Sequence, residues 1–152
     1  MKTEIIKTKN SSAYPTTFIQ TLFRCLLGIF LVTAGIGHLT WLRTEFPAQV
    51  PKWVTLNEDL VVVLSGIVEI LLGASLIFLT KYRVQMGWIA AAFFVAVFPG
   101  NISQYTNHMS AFGLDSDTKR FIRLLFQPVL VIWALWATGA WHEWRKKRLL
   151  NE

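Results

Sequence analysis

Five side chains able to do chemistry stand in the oily parts of this chain: His38, Glu69, Asn101, Arg123 and Gln127. Glu69 makes the strongest demand, because it lies halfway along the apolar run Leu60 to Leu79, which is long enough to cross a bilayer. A charged group at such depth costs roughly 2.5 to 3.5 kcal/mol on insertion scales and is kept where it faces protein or a wet cavity. A carboxyl group near a histidine can relay protons or grip a ligand headgroup, and the amides and the guanidinium add hydrogen-bonding capacity. The structural alternative is a protonated Glu69 that bonds a neighbouring helix.

Helical spacing says which elements must position these groups. Arg24, Gly28, Leu31, Gly35 and His38 share one face of a first span, and Gly66, Glu69 and Gly73 share one face of a second. The third span offers Gly87, Ala91, Phe94, Phe98 and Asn101, and the fourth Arg123, Gln127, Leu130, Ala134 and Trp141. Gly28, Gly35, Gly66 and Gly73 permit close helix approach, as at small-residue interfaces in membranes. With one such stripe per span, the chain is expected to be all-α, an antiparallel four-helix transmembrane bundle. The expected helices are 18–39, 60–79, a shorter 86–103 and 121–141, within a membrane domain of residues 18–141. A polar lead, 1–17, and a basic tail, 142–152, flank it. The first apolar run exceeds the roughly 7 to 15 residues of a signal-peptide core and is read as a retained helix.

Composition agrees. With 53% hydrophobic and only 16% charged residues the chain is expected to be a multi-pass integral membrane protein, and its seven Trp and eleven Phe suit interfaces and lipid. The net charge of +6 does not indicate nucleic acid, because the basic residues cluster at the ends of the apolar runs. Lys2, Lys7, Lys9, Lys81, Arg83 and the tail Arg145-Lys146-Lys147-Arg148 lie on one side, against Arg43, Lys52, Lys119 and Arg120 on the other. The positive-inside rule then makes both termini cytoplasmic, with the tail touching anionic lipid. His38, Asn101, Arg123 and Gln127 fall in the outer half of the membrane with Pro99 and Pro128, and Glu69 lies below them near the midplane. The expectation is an outer-facing polar pocket floored by Glu69, with irregular backbone tolerated where it lines a cavity. Of the outer loops, Phe46 to Val54 should lie along or dip into the surface, whereas Tyr105 to Lys119, with His108, Asp115 and Asp117, should be water-exposed.

Blander readings compete at each position. Arg24 is expected to snorkel to cytoplasmic headgroups. His38 can be an interfacial histidine, Asn101 a cap of the third helix, and Arg123 a partner of Gln127 at i, i+4 or an interface anchor. Cys25 stands alone, so the chain carries no dithiol pair. Haem ligation by His38 and His108, or a metal held by His38, Glu69 and His108, lacks specifying spacing, and His142 lies at the far end of the chain; no metal is assigned. Phosphate-loop and nucleophile motifs are absent, and no internal repeat supports a transporter.

The ordered set Gly37-His38, Phe46 with Val50-Pro51, Ser65-Gly66-x-x-Glu69-x-x-x-Gly73, Arg83, Ala96-Val97-Phe98-Pro99-x-Asn101 and Arg123-x-x-x-Gln127 resembles the DoxX-like family of small four-helix membrane proteins, over nearly all of residues 20–141. Gly100 departs from it, where Ala is expected. The resemblance implies the four-helix membrane fold. Its members include a subunit of an archaeal thiosulfate:quinone oxidoreductase, the MauE maturation factor and an animal receptor chaperone, so it implies a bundle that serves or assembles something else. The leading expectation is therefore an accessory or chaperone-like membrane subunit, not an enzyme on its own, binding a partner protein or second copy, a lipid or a small apolar ligand. The alternative is a quinone-binding or proton-relaying subunit of an oxidoreductase, with electrons supplied by another subunit. The expected location is a bacterial plasma (inner) membrane.

Overall fold

The computed structural model describes residues 15–150, so most of the 1–17 lead and the last two residues of the tail lie outside the described residues. The described residues are helical, without strands: α1 (Phe18–Leu39), α2 (Glu58–Phe78), α3 (Arg83–Thr106), α4 (Asp117–Ala137) and α5 (Ala140–Leu149). Four helical stretches, Phe18–Leu39, Glu58–Phe78, Thr80–Thr106 and Asp117–Ala137, are long and apolar enough to cross a membrane. The chain is thus a multi-pass membrane protein by length and composition.

Local chemistry sets the starts. Thr17 and Gln20 form a capping box at α1, with the hydroxyl accepting from the Gln20 amide (3.2 Å) and the Gln20 side chain accepting from the Thr17 amide (2.9 Å). Asn57 accepts from Asp59 and Leu60 at the start of α2, where Glu58 and Asp59 favour the positive end of the helix dipole. Ser116 caps α4 in the same way.

Two boundaries correct the sequence reading. The third helix is not the short one: it runs on to Thr106, through Pro99, and is the longest of the set at 24 residues. Pro99 withholds only the bond to the carbonyl four residues back, and packing holds the rest of the helix together. The fourth span does not reach 141. It ends at Ala137, Gly139 turns the chain at φ +74°, and Trp141 starts on the separate helix α5 with the tail residues to Leu149. Apolar continuity through 137–141 hid that turn.

α1 packs most extensively on α2, and α3 on α4. At the first seam the glycines face each other in reverse order, Gly28 with Gly73 and Gly35 with Gly66; a Cβ on Gly35 would stand 2.5 Å from the Gly66 carbonyl oxygen. Only backbones that nearly touch allow this. The two pairs meet firmly at the Gln20 end, where the Gln20 amide donates to the Trp136 carbonyl (2.9 Å) and the Trp133 indole to that of Phe23 (3.0 Å). The main core, with Leu27, Leu31, Leu72, Leu76, Ala90, Ala134 and Leu135, fills that end. A second, small cluster of Phe46, Val50 and Val62 sits at the His38 end beneath the loop that joins α1 to α2.

Candidate functional site

Between the two clusters the helix pairs part around a cavity of about 540 Å³. Its walls include His38 from α1, Glu69 from α2, Asn101 from α3, and Arg123 and Gln127 from α4, so all five candidate side chains border one space. The rest of the lining is mostly apolar and aromatic, among it Phe30, Leu31, Phe94, Val97 and Leu130. An apolar chamber with a few convergent polar groups is the usual form of a small-molecule site.

The polar groups fall into two sets. In the first, His38 Nε2 lies 3.3 Å from Glu69 Oε2, with the two side chains only 10% and 12% exposed. The imidazole lies flat on the Phe46 ring, centroids 3.3 Å apart and planes 20° off parallel, which fixes its orientation. Glu69 Oε2 is buried and, beyond the approach of His38 Nε2, has no partner among the described residues, whereas the imidazole also meets the Val62 backbone. Native interiors seldom leave such an atom with so little hydrogen bonding, so Glu69 Oε2 retains the capacity to accept a further hydrogen bond.

The second set is a connected network. Asn101 donates to the Gln127 side-chain oxygen (2.8 Å), and Gln127 donates to the Phe94 carbonyl (2.6 Å) in the turn preceding Pro99. Arg123 Nε donates to Asn101 Oδ1 at 3.4 Å, and its guanidinium lies over the Phe112 ring at 5.2 Å. With its oxygen turned toward Arg123, the Gln49 amide accepts from Nε at 2.9 Å and Nη2 at 2.6 Å, an orientation assigned from its neighbours. Arg123 and Glu69 border the same space without forming an ion pair; the Glu69 carboxyl lies against His38 instead.

Both connecting loops close over this end. The loop after α1 dips inward, burying Phe46 and Val50 and presenting Gln49 to the cavity. The loop after α3 is not wholly water-exposed: Ala111 is buried, Phe112 packs edge-on against Phe46 (4.7 Å), and the Phe112 amide donates to the Glu45 carboxylate. His108 stays outside, bonded to Asp117 (2.8 Å), and contributes nothing to the cavity. Among the described residues no three His, Cys, Asp or Glu side chains gather as a metal site would require.

Three positions differ from their blander readings. Asn101 does not cap the third helix, which continues for five residues beyond it; its amide is buried and bonded to Gln127. Arg123 does not pair with Gln127, because both turn to Asn101. Arg24 does not reach outward: it is 3% exposed and donates to the Leu76 carbonyl (2.6 Å) and the Thr80 hydroxyl (3.3 Å) at the end of α2. A cation there satisfies an orphan carbonyl and the negative pole of the helix, which a snorkelling side chain would forgo. Spacing along single helices missed Gln49 and Phe112, both of which come from loops. The prolines flanking Gln49 were the available signal for an inward-dipping segment.

A family model described as a domain of unknown function (DUF8561) matches residues 27–138, which takes in the α1–α2 seam and every cavity residue named above. No curated protein and no solved structure matches the chain.

Proposed function

We propose that this chain, which belongs to the DUF8561 family, is an accessory membrane subunit that holds a lipid or other small amphipathic ligand in the cavity between its helix pairs. The observation that carries the proposal is the pairing of an apolar chamber of about 540 Å³ with a few convergent, largely buried polar side chains, among them Glu69, whose Oε2 has only the 3.3 Å approach of His38 Nε2. A ligand with an oily body and a polar head meets both requirements. The DoxX-like resemblance belongs to the same reading, as a four-helix bundle that serves another component. The reversed glycine pairing supports an antiparallel bundle, and the Lys and Arg distribution supports cytoplasmic termini in a bacterial plasma membrane, with the cavity in the outer half.

The test is extraction. Protein purified in mild detergent and denatured in organic solvent should release a lipid-soluble molecule at near-stoichiometric yield, and Asn101→Leu with Gln127→Leu should lower that yield while the bundle still melts cooperatively. An extract that holds no such molecule would defeat the proposal.

A second reading, a quinone-binding subunit of an oxidoreductase, is favoured by the two polar poles, His38 with Glu69 and Arg123 with Asn101, which suit a flat ring bearing a carbonyl at each side. Short-chain quinone analogues should then raise the melting temperature, and failure of all of them removes this reading. Electron supply would fall to a partner.

A further inference from the structure

The charges in the cavity say more about its occupant than its oiliness does. One wall carries a carboxyl group, Glu69, whose buried Oε2 has only the 3.3 Å approach of His38 Nε2 among the described residues. The other carries a guanidinium, Arg123, whose hydrogen-bonding neighbours there are two neutral amides, Asn101 and Gln49. Had the two charges evolved only to neutralise each other they would meet, yet Glu69 pairs with His38 instead. A guanidinium held by neutral amides keeps its affinity for a phosphate oxygen. A carboxylate with a spare lone pair calls for an N–H donor.

Resting on the reading of the cavity as an amphiphile site, we propose that it takes the head of a zwitterionic aminophospholipid, with the phosphate on Arg123 and the primary ammonium of the ethanolamine group on Glu69. That head carries both charges in one small group, and Glu69 and Arg123 line one cavity. A choline head presents no N–H to Glu69, and a glycerol head presents no cation, leaving a carboxylate near a phosphate. The lipid, and not the free headgroup, is the source. Phe30, Thr33 and Ala96 line the cavity and are exposed, so the chamber is open along α1 and α3, where acyl chains can leave it.

The experiment uses the full chain in detergent, stripped of lipid and offered phosphatidylethanolamine, phosphatidylcholine or phosphatidylglycerol of identical acyl chains, or soluble glycerophosphoethanolamine. Native mass spectrometry and melting temperature are the readouts. Phosphatidylethanolamine should be retained about tenfold over the other two lipids, the worth of one charge-assisted hydrogen bond. Glu69→Gln should bring phosphatidylethanolamine and phosphatidylcholine to parity, and Arg123→Gln should weaken both. Equal retention of the three lipids by the unaltered chain overturns the proposal, as does a preference that survives Glu69→Gln. Equal protection by glycerophosphoethanolamine overturns the lipid as the source. Should Glu69→Gln fail to fold, the lipid series on the unaltered chain decides alone. A different amphiphile recovered from the purified protein would overturn this assignment and leave the cavity reading standing, whereas an empty extract would overturn both.

Discussion

The two ends of the bundle spend their polar side chains differently. At the Gln20 end, Gln20, Arg24 and Trp133 each bond a backbone carbonyl of another helix, of Trp136, Leu76 and Phe23 respectively. At the His38 end, Arg123, Asn101, Gln127 and Gln49 bond mainly one another, and Glu69 meets the His38 side chain. A carbonyl bond is fixed by the fold and serves as a staple between helices. Side chains that bond other side chains can exchange those partners for a ligand at small cost. The comparison separates groups that hold the bundle from groups that await something, and it does so for residues of identical type: Arg24 belongs to the first kind, Arg123 to the second.

The largest expected effect lies in the core of the stapled end. Leu76 is fully buried, and Leu76→Ala should cost about 2 to 5 kcal/mol through the cavity it leaves, whereas Val97→Ala, which enlarges a space already open, should cost under about 1 kcal/mol. Thermal melts in one detergent compare the two; equal losses would mean that the His38 end is packed as tightly as the other. Next comes the glycine seam. Gly35→Val, whose Cβ alone would stand 2.5 Å from the Gly66 carbonyl oxygen, should destabilise the fold by about 1 to 3 kcal/mol, and a variant that melts like the parent would show that the α1–α2 contact is looser than drawn.

The two arginines give the sharpest form of the comparison. Arg24→Leu removes a charged donor from the Leu76 carbonyl and should cost about 1.5 to 3 kcal/mol of stability while leaving ligand retention unchanged. Arg123→Leu should invert that pattern, with a smaller stability loss and most of the bound amphiphile gone. If both variants lose stability and ligand in parallel, the division of labour between the ends fails.

How far the chain announces this arrangement depends on the physics behind each feature. The spans were legible because crossing a bilayer demands a long apolar run, and the shared face of Gly66, Glu69 and Gly73 was legible because helical periodicity is rigid. The turn at Gly139 was not, since hydropathy averages over residues and one left-handed φ leaves no mark on it. Asn101 was open to reading as a cap because the distance from a helix end is invisible until Pro99 is known to lie inside the helix. Gln49 and Phe112 enter the site from loops, where neither periodicity nor spacing applies. Arg24 misled because a cation near the end of an apolar run fits a headgroup as well as a carbonyl, and only the position of α2 chooses.

The smallest expected effect is at the start of α4, where Asp115 in the preceding loop pairs with Lys119 at 2.7 Å with both side chains more than half exposed. The hydrogen bond from Lys119, aided by its charge, holds the Asp115 carboxyl below its ordinary range. A carboxyl lowered on folding adds stability that is present above its unfolded value and lost as pH falls through the folded one. Water and salt screen so exposed a pair, so Asp115→Asn should shift the melting temperature at neutral pH far less than Arg24→Leu does, and the remaining difference should vanish on acidification below the usual carboxylate range. A shift from Asp115→Asn as large as that from Arg24→Leu would place a stabilising staple in the loop at the His38 end, and the contrast between the two ends would then have to be redrawn.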